Sequence, residues 1–427
     1  MVSGGTYGIE DIVHGAGYGR AILFLTLTPL LWSLPTAFMI GELSSALPFE
    51  GGYYAWVRRA MGNFWGFQEA WLSLAASVFD MAIYPTLFVA YLTRLFPSFS
   101  INHRGLMVAL AVVIACAALN VAGVKVVSTT SLWLFFALSS PFVLIVLLSP
   151  VKYAALFHAV TKPTTSKVDI IGGLLICMWN YMGWDNASTI ATEVERPQRT
   201  YPRAMLVAIV IVALSYIVPV GAVWMTGLPS GAWETGSWAD IAGMLGGPGL
   251  RVALVVGGMF SAFGMFNALV MSYSRLPLAM AQDGMLPGIF GKLNRRRAPW
   301  VAVIALAIGW ALCLNLGFER LVTLDIFVYG LSLALEFVAL VALRVREPNL
   351  ERPFRVPGGM FGAIAVGIAP VMLLGFDLVR SESEQVAELS SFWLAAAVVG
   401  AGVLAYALNY LLMPAGWTAS QPAEPSM

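Results

Sequence analysis

Charge is what this sequence has least of. Of its 427 residues, 11% are Asp, Glu, Lys or Arg and 59% are hydrophobic, whereas a soluble globular chain is about a quarter charged. That scarcity excludes an ordinary water-soluble domain. A net charge of +1 gives no footing for nucleic acid or for an acidic surface. Cysteine is rarer still: Cys116, Cys177 and Cys313 all lie inside apolar runs, so no disulfide framework is implied. The histidines, His14, His103 and His158, are widely scattered, and HExxH, GxGD and GxSG do not occur. An intramembrane enzyme, a metal site and a cofactor are therefore not expected. The N-terminus lacks a basic head followed by an apolar run, so no cleavable signal is expected. The absence of any sizeable soluble stretch argues against a membrane sensor.

What the chain has in abundance is apolar runs of about twenty residues, enough to cross a bilayer core of roughly 30 Å. They predict helices near 9–18, 21–46, 64–96, 104–123, 128–149, 168–194, 202–227, 250–281, 299–317, 320–344, 359–379 and 390–412. The fold class is an all-α polytopic membrane protein whose partner is the lipid bilayer. The first run is too short to span, and "GYYAWVRRAMG" at 52–62 reads as a helix along the membrane surface. Residues 1–413 form one transmembrane domain, and 414–427 read as a disordered tail. Fifteen of the 24 Lys and Arg residues fall in loops on one side. That side is expected to be cytoplasmic, with the C-terminus on it.

Two runs are interrupted. "SGGTYG" at 3–8 precedes the first, and "WNYMGWDNAST" at 179–189 breaks the sixth. In hydrocarbon a broken helix survives only where it lines a cavity, and matching breaks in two halves point to a transporter's central site. Five helices plus five inverted ones, with two more at the end, account for the twelve runs. Glycines that merely allow close packing are the alternative.

Three further stretches carry a family resemblance. "WNYMGWDNASTIATEVERPQRTYPRAM" places Trp179, Gly183, Asp185, Glu193, Pro197, Arg199 and Pro202 in a sixth-helix pattern. "SYSRLPLAMAQDGMLP" at 272–287 matches an eighth-helix exit, and "ELSSALPFEGGYYAWVRRAMG" at 42–62 a second-helix exit with its surface helix. The chain resembles the amino acid–polyamine–organocation superfamily over essentially its whole length. "SGGTYGIEDIV", "GFQEAW" and "VFDMAIYP" look most like its polyamine uptake branch of plants and protists. The resemblance implies a secondary transporter of polyamines, with an amino-acid permease or exchanger as the alternative. It also implies a half-helix ahead of the glycines, where this chain has only Met1 and Val2, so a start codon further upstream is expected.

The acids fit a cationic cargo. A half-helix starting near Ile9 presents its positive end to the cavity, and the resemblance implies that an amino acid's carboxylate would dock there. Glu10 and Asp11 in the first turn would occupy that end themselves; simple capping is the alternative. On the third run Glu69, Ser73, Ser77, Asp80 and Tyr84 share one helical face, and Asp325, Tyr329, Ser332 and Glu336 repeat the pattern on the tenth. Interhelical hydrogen bonding would explain such stripes equally. Candidate substrate-binding residues are Ser3, Gly4, Gly5, Tyr7, Glu10, Asp80, Tyr84, Trp179, Trp184 and Asp185. The acids would hold ammonium groups at mid-membrane, and the aromatics would form walls with cation–π attraction. The resemblance aligns Trp179 and Asp185 with a tryptophan and an acid of bacterial arginine–agmatine exchangers. Glu10, Asp11, His14 and Glu193 are candidates for coupling to a proton gradient. Glu10 and His14, four apart, could relay a proton, unless His14 is simply solvated. Oligomeric state is not readable.

Overall fold

The computed structural model describes residues 5–100, 103–123, 128–159, 169–380, 385–386 and 389–412. Among these, every regular element is helical except a two-residue antiparallel pairing of Gln385–Val386 with Leu389–Ser390. A 3-10 turn, Gly5–Gly8, leads into α1 (Glu10–Ala16), and Gly17 at φ 74° separates it from α2 (Tyr18–Thr28). Then come α3 (Leu34–Ala46), the surface helix α4 (Tyr53–Met61), α5 (Asn63–Leu95), α6 (Arg104–Val121) and α7 (Ser128–Ala159). α8 (Ile170–Asn180) is followed by a 3-10 segment, Asp185–Glu193, then α9 (Pro197–Trp224) and α10 (Trp238–Gln282). α11 (Trp300–Leu312), α12 (Phe318–Arg346), α13 (Gly359–Arg380) and α14 (Ser391–Leu412) complete the order.

Seven helices among the described residues are long and apolar enough to cross a membrane. Their outward faces carry side chains such as Met107, Val207 and Phe361, which are exposed. In water that would be a liability; against lipid tails it costs nothing. The chain is an integral, multi-pass membrane protein. α5 is its hub, packed against α4, α10 and α12.

Departures from the expected boundaries have local causes. The run expected at 21–46 contains a π-helical turn at Pro29–Ser33. Pro29 has no N–H for the carbonyl of Leu25, and the Tyr181 hydroxyl takes that acceptor at 2.8 Å. The run expected at 250–281 follows Gly247, whose non-helical φ of 78° and ψ of −171° kink α10 and set off the preceding helical stretch that starts at Trp238. α7 extends to Ala159, ten residues past its expected end. Both expected breaks exist: Gly5 has φ 67°, and Gly183, at φ 81°, lies between the end of α8 and the 3-10 segment. Ser3, Gly4 and the tail 414–427 lie outside the described residues.

Candidate functional site

The two breaks meet and satisfy one another's backbone. Asn180, the last residue of α8, donates from Nδ2 to the Gly8 carbonyl at 2.9 Å. Its own carbonyl accepts from the Tyr216 hydroxyl at 3.1 Å. Ser33 donates to the Tyr181 carbonyl at 3.4 Å, and Thr6 to that of Ser215 at 3.3 Å. Loose backbone at membrane depth is thus held by protein rather than left to lipid. Gly8 lets the backbone pass close to Trp179: a Cβ there would sit 3.0 Å from the ring, a tight contact.

Beside this junction lies Asp80, 3% exposed. Its Oδ1 accepts from the Trp179 indole at 3.2 Å and the Tyr84 hydroxyl at 3.1 Å, and its Oδ2 from the Tyr273 hydroxyl at 3.2 Å. The Trp179 ring stands edge-on to Phe318 with centroids 5.6 Å apart and tilted to Tyr84 at 6.2 Å. The result is a carboxylate inside an aromatic box. Asp185 accepts from the Tyr329 hydroxyl. Asp325 of α12 is buried within electrostatic reach of both Asp80 and Asp185.

Further along α5, Glu69 Oε1 accepts from Ser332 at 2.8 Å and Ser73 at 3.1 Å, and the two serine hydroxyls are 2.9 Å apart. Glu336 is fully buried nearby and within reach of Glu69 and Asp185. Neither of its oxygens has a hydrogen-bond partner among the described residues.

α1 does something other than expected. Glu10 accepts from the Tyr91 hydroxyl and from the Gly236 N–H at 3.2 Å. Tyr91 is eleven residues beyond Asp80 on α5, about 16 Å at 1.5 Å per residue, so Glu10 does not share the level of Asp80. Asp11 accepts from the Thr235 hydroxyl at 2.6 Å, and His14, half-buried, meets the Trp233 carbonyl at 2.5 Å through Nδ1. Because a carbonyl only accepts, Nδ1 carries the proton. Among the described residues Glu10 and His14 share no direct hydrogen bond, and His14 is not simply solvated: both side chains latch the segment joining α9 to α10.

Of the other candidates, Tyr7 turns away from Asp80. Its ring packs against Phe142 and Tyr91, and its hydroxyl donates to the Leu138 carbonyl at 3.1 Å. Trp184 is buried and donates to the Tyr181 carbonyl at 2.8 Å, bracing the second break. Gly5 supplies a positive-φ turn. Glu193 closes its 3-10 segment, and its side chain lies outside the described residues. Tyr273 and Tyr91 were not anticipated. Tyr91 continues the α5 stripe one period past Tyr84, which was a usable signal; Tyr273 sits inside the stretch at 272–287 with nothing to mark it.

At the Arg-rich end the acids are matched by bases. Glu42 is 1% exposed; Arg344 donates to it from Nε at 2.8 Å and also from Nη2, and Arg352 Nε is 3.2 Å away. The Val356 N–H adds a bond at 2.7 Å. Nearby, Arg59 grips Glu347 with two bonds of 2.9 and 2.8 Å. These bonds hold the Glu347 carboxyl below its usual range and raise Arg59 above its own.

A family model described as amino acid permease matches residues 1–404. The polyamine transporter RMV1 of Arabidopsis thaliana is 35% identical over 88% of this chain and 76% of its own length. The polyamine transporter PUT1 of Oryza sativa subsp. japonica is 35% identical over 97% and 75%. More distant is the serine/threonine exchanger SteT of Bacillus subtilis, 26% identical over 85% and 84%.

Proposed function

Because this chain belongs to the amino acid permease family, it is a membrane transporter and not an enzyme, and we propose that it takes up polyamines of the putrescine or spermidine class. Uptake proceeds by alternating access and is driven by an inward proton gradient. One observation carries the reading: Asp80, Asp185, Asp325, Glu69 and Glu336 are all buried, and none makes an ion pair among the described residues. Several unpaired carboxylates at this depth are too costly to be structural ornaments. Protons or a cationic cargo must balance them, and a carboxyl that exchanges one for the other couples the two flows.

Asp80 is the primary ammonium site. Trp179, Tyr84 and Tyr273 release it to the cargo and then line the methylenes between amines. Cation–π attraction adds about 0.5–2 kcal/mol per desolvated contact. The positive end of α1 offers little to a substrate carboxylate, because Glu10 and Asp11 stand in its first turn. Two polyamine transporters among the relatives support the same cargo. The fold is read as five helices plus five inverted ones with two added. The Arg-rich end and the C-terminus face the cytoplasm, and the membrane is the plasma membrane. A second reading, an amino-acid exchanger, has the SteT relative in its favour.

The test is reconstitution into proteoliposomes and uptake of labelled putrescine and spermidine against leucine and arginine, with and without an inward proton gradient. Gradient-stimulated polyamine uptake is expected. Leucine or arginine uptake without polyamine uptake would move the assignment to the exchanger.

A further inference from the structure

The acid stripes of α5 and α12 are in register. Ser73 and Ser332 touch at 2.9 Å. Counting away from that contact in opposite directions along the two helices brings Asp80 opposite Asp325 and Glu69 opposite Glu336. Electrostatic contact within both pairs agrees with this antiparallel pairing. On each helix the two acids are eleven residues apart, about three turns, which returns to the same face some 16 Å away. Asp185, held by Tyr329, lies between the two levels and within reach of both. The molecule therefore contains two rungs of paired carboxyls, one at the aromatic box and one toward the Arg-rich end.

The second rung has carboxylate oxygens that no described residue satisfies. Both oxygens of Glu336 and Oε2 of Glu69 are buried without a hydrogen-bond partner among the described residues, as is Oδ2 of Asp325 on the first rung. Structural carboxylates in this protein look different: Glu42, equally buried, is saturated by two arginines and a backbone N–H.

Resting on the polyamine reading, we infer that Glu69 and Glu336 form a second ammonium site, and that the two rungs measure the length of the cargo. An extended linear tetraamine such as spermine has thirteen bonds between its end nitrogens. At about 1.25 Å of advance per zigzag bond of about 1.5 Å, that is roughly 16 Å. Its ends match the rungs, and its inner amines pass Asp185. Putrescine, with five such bonds, spans roughly 6 Å and reaches one rung only. The leading amine settles on Glu69 and Glu336 when Asp185 and Tyr329 part, while the trailing amine still holds Asp80.

Two measurements on the full chain in proteoliposomes test this. In Glu336→Gln and Glu69→Gln, the ratio of kcat/KM for spermine to that for putrescine falls about tenfold or more. An unchanged ratio, whether both substrates are carried or both are lost alike, overturns the inference. The wild-type protein supplies the second measurement and needs no variant to fold: inhibition of putrescine uptake by α,ω-diamines of increasing length. Inhibition peaks near about twelve carbons, where the end nitrogens again lie roughly 16 Å apart, and exceeds that of the monoamine of equal length. A best fit at four or five carbons, or equal inhibition by the monoamine, removes the ruler while leaving polyamine transport standing. A wild-type protein that carries no polyamine of any length removes both.

Discussion

Glu42 and Asp80 are buried to nearly the same degree, and the protein treats them in opposite ways. Around Glu42, Arg344, Arg352 and the Val356 N–H neutralise the charge and tie α3 to the end of α12 and the segment beyond it. Around Asp80 stand two tyrosine hydroxyls and an indole, neutral donors that can let go. Burial alone therefore does not mark a functional acid in this membrane protein. The presence or absence of a fixed counter-charge does, because only an unneutralised acid has something to gain from a cation arriving from outside.

The sharpest way to break that contrast is to remove each charge in turn. Glu42→Gln leaves two buried guanidinium groups without their partner and costs about 3–5 kcal/mol of stability, read as a large loss of folded protein in detergent by thermal unfolding. Asp80→Asn removes a charge that no base needed, so the protein unfolds at the same temperature or higher. Its polyamine kcat/KM nevertheless falls roughly 30- to 150-fold, the about 2–3 kcal/mol of a strong charge-assisted hydrogen bond. Stability and transport thus respond in opposite order at the two acids. If Asp80→Asn unfolds the protein instead, Asp80 belongs with Glu42.

Smaller effects refine the picture. Trp179→Phe keeps an aromatic face but gives up the stronger cation–π attraction of the indole ring; the polyamine KM rises by about two- to fivefold, the loss of about 0.5–1 kcal/mol. Glu347→Gln has the smallest effect, below about 1 kcal/mol, because its pair with Arg59 is part-exposed. Its sign is fixed by the depressed carboxyl. The stabilisation is complete above the ordinary glutamate range and fades as pH falls through the lower folded value. The Tm gap between wild type and variant accordingly closes between about pH 5 and pH 2.

Much of this was legible in the chain. Apolar runs, prolines and glycines placed most helices, and Gly183 marked a real break because only a positive-φ residue fits there. The polar stripes on α5 and α12 were visible as periodicity. Their register was not, since a period says which face is polar but not which residue it meets on another helix. The same limit hid the triad of Glu42, Arg344 and Arg352, in which the acid lies some three hundred residues from the two arginines. It also misplaced Glu10, which the start of α1 suggested for the central level and which Tyr91 and Gly236 draw away to the opposite end. Trp184 read as a cavity wall; that its indole also braces the backbone left unpaired by the break was not legible.

Equilibrium binding of labelled spermidine to the purified protein, wild type and Asp80→Asn side by side, with unlabelled leucine as competitor, tests the central claim most directly. The account predicts saturable binding to wild type that leucine does not displace, and its loss in a folded Asp80→Asn protein. Undiminished spermidine binding to Asp80→Asn, or displacement by leucine, would contradict it.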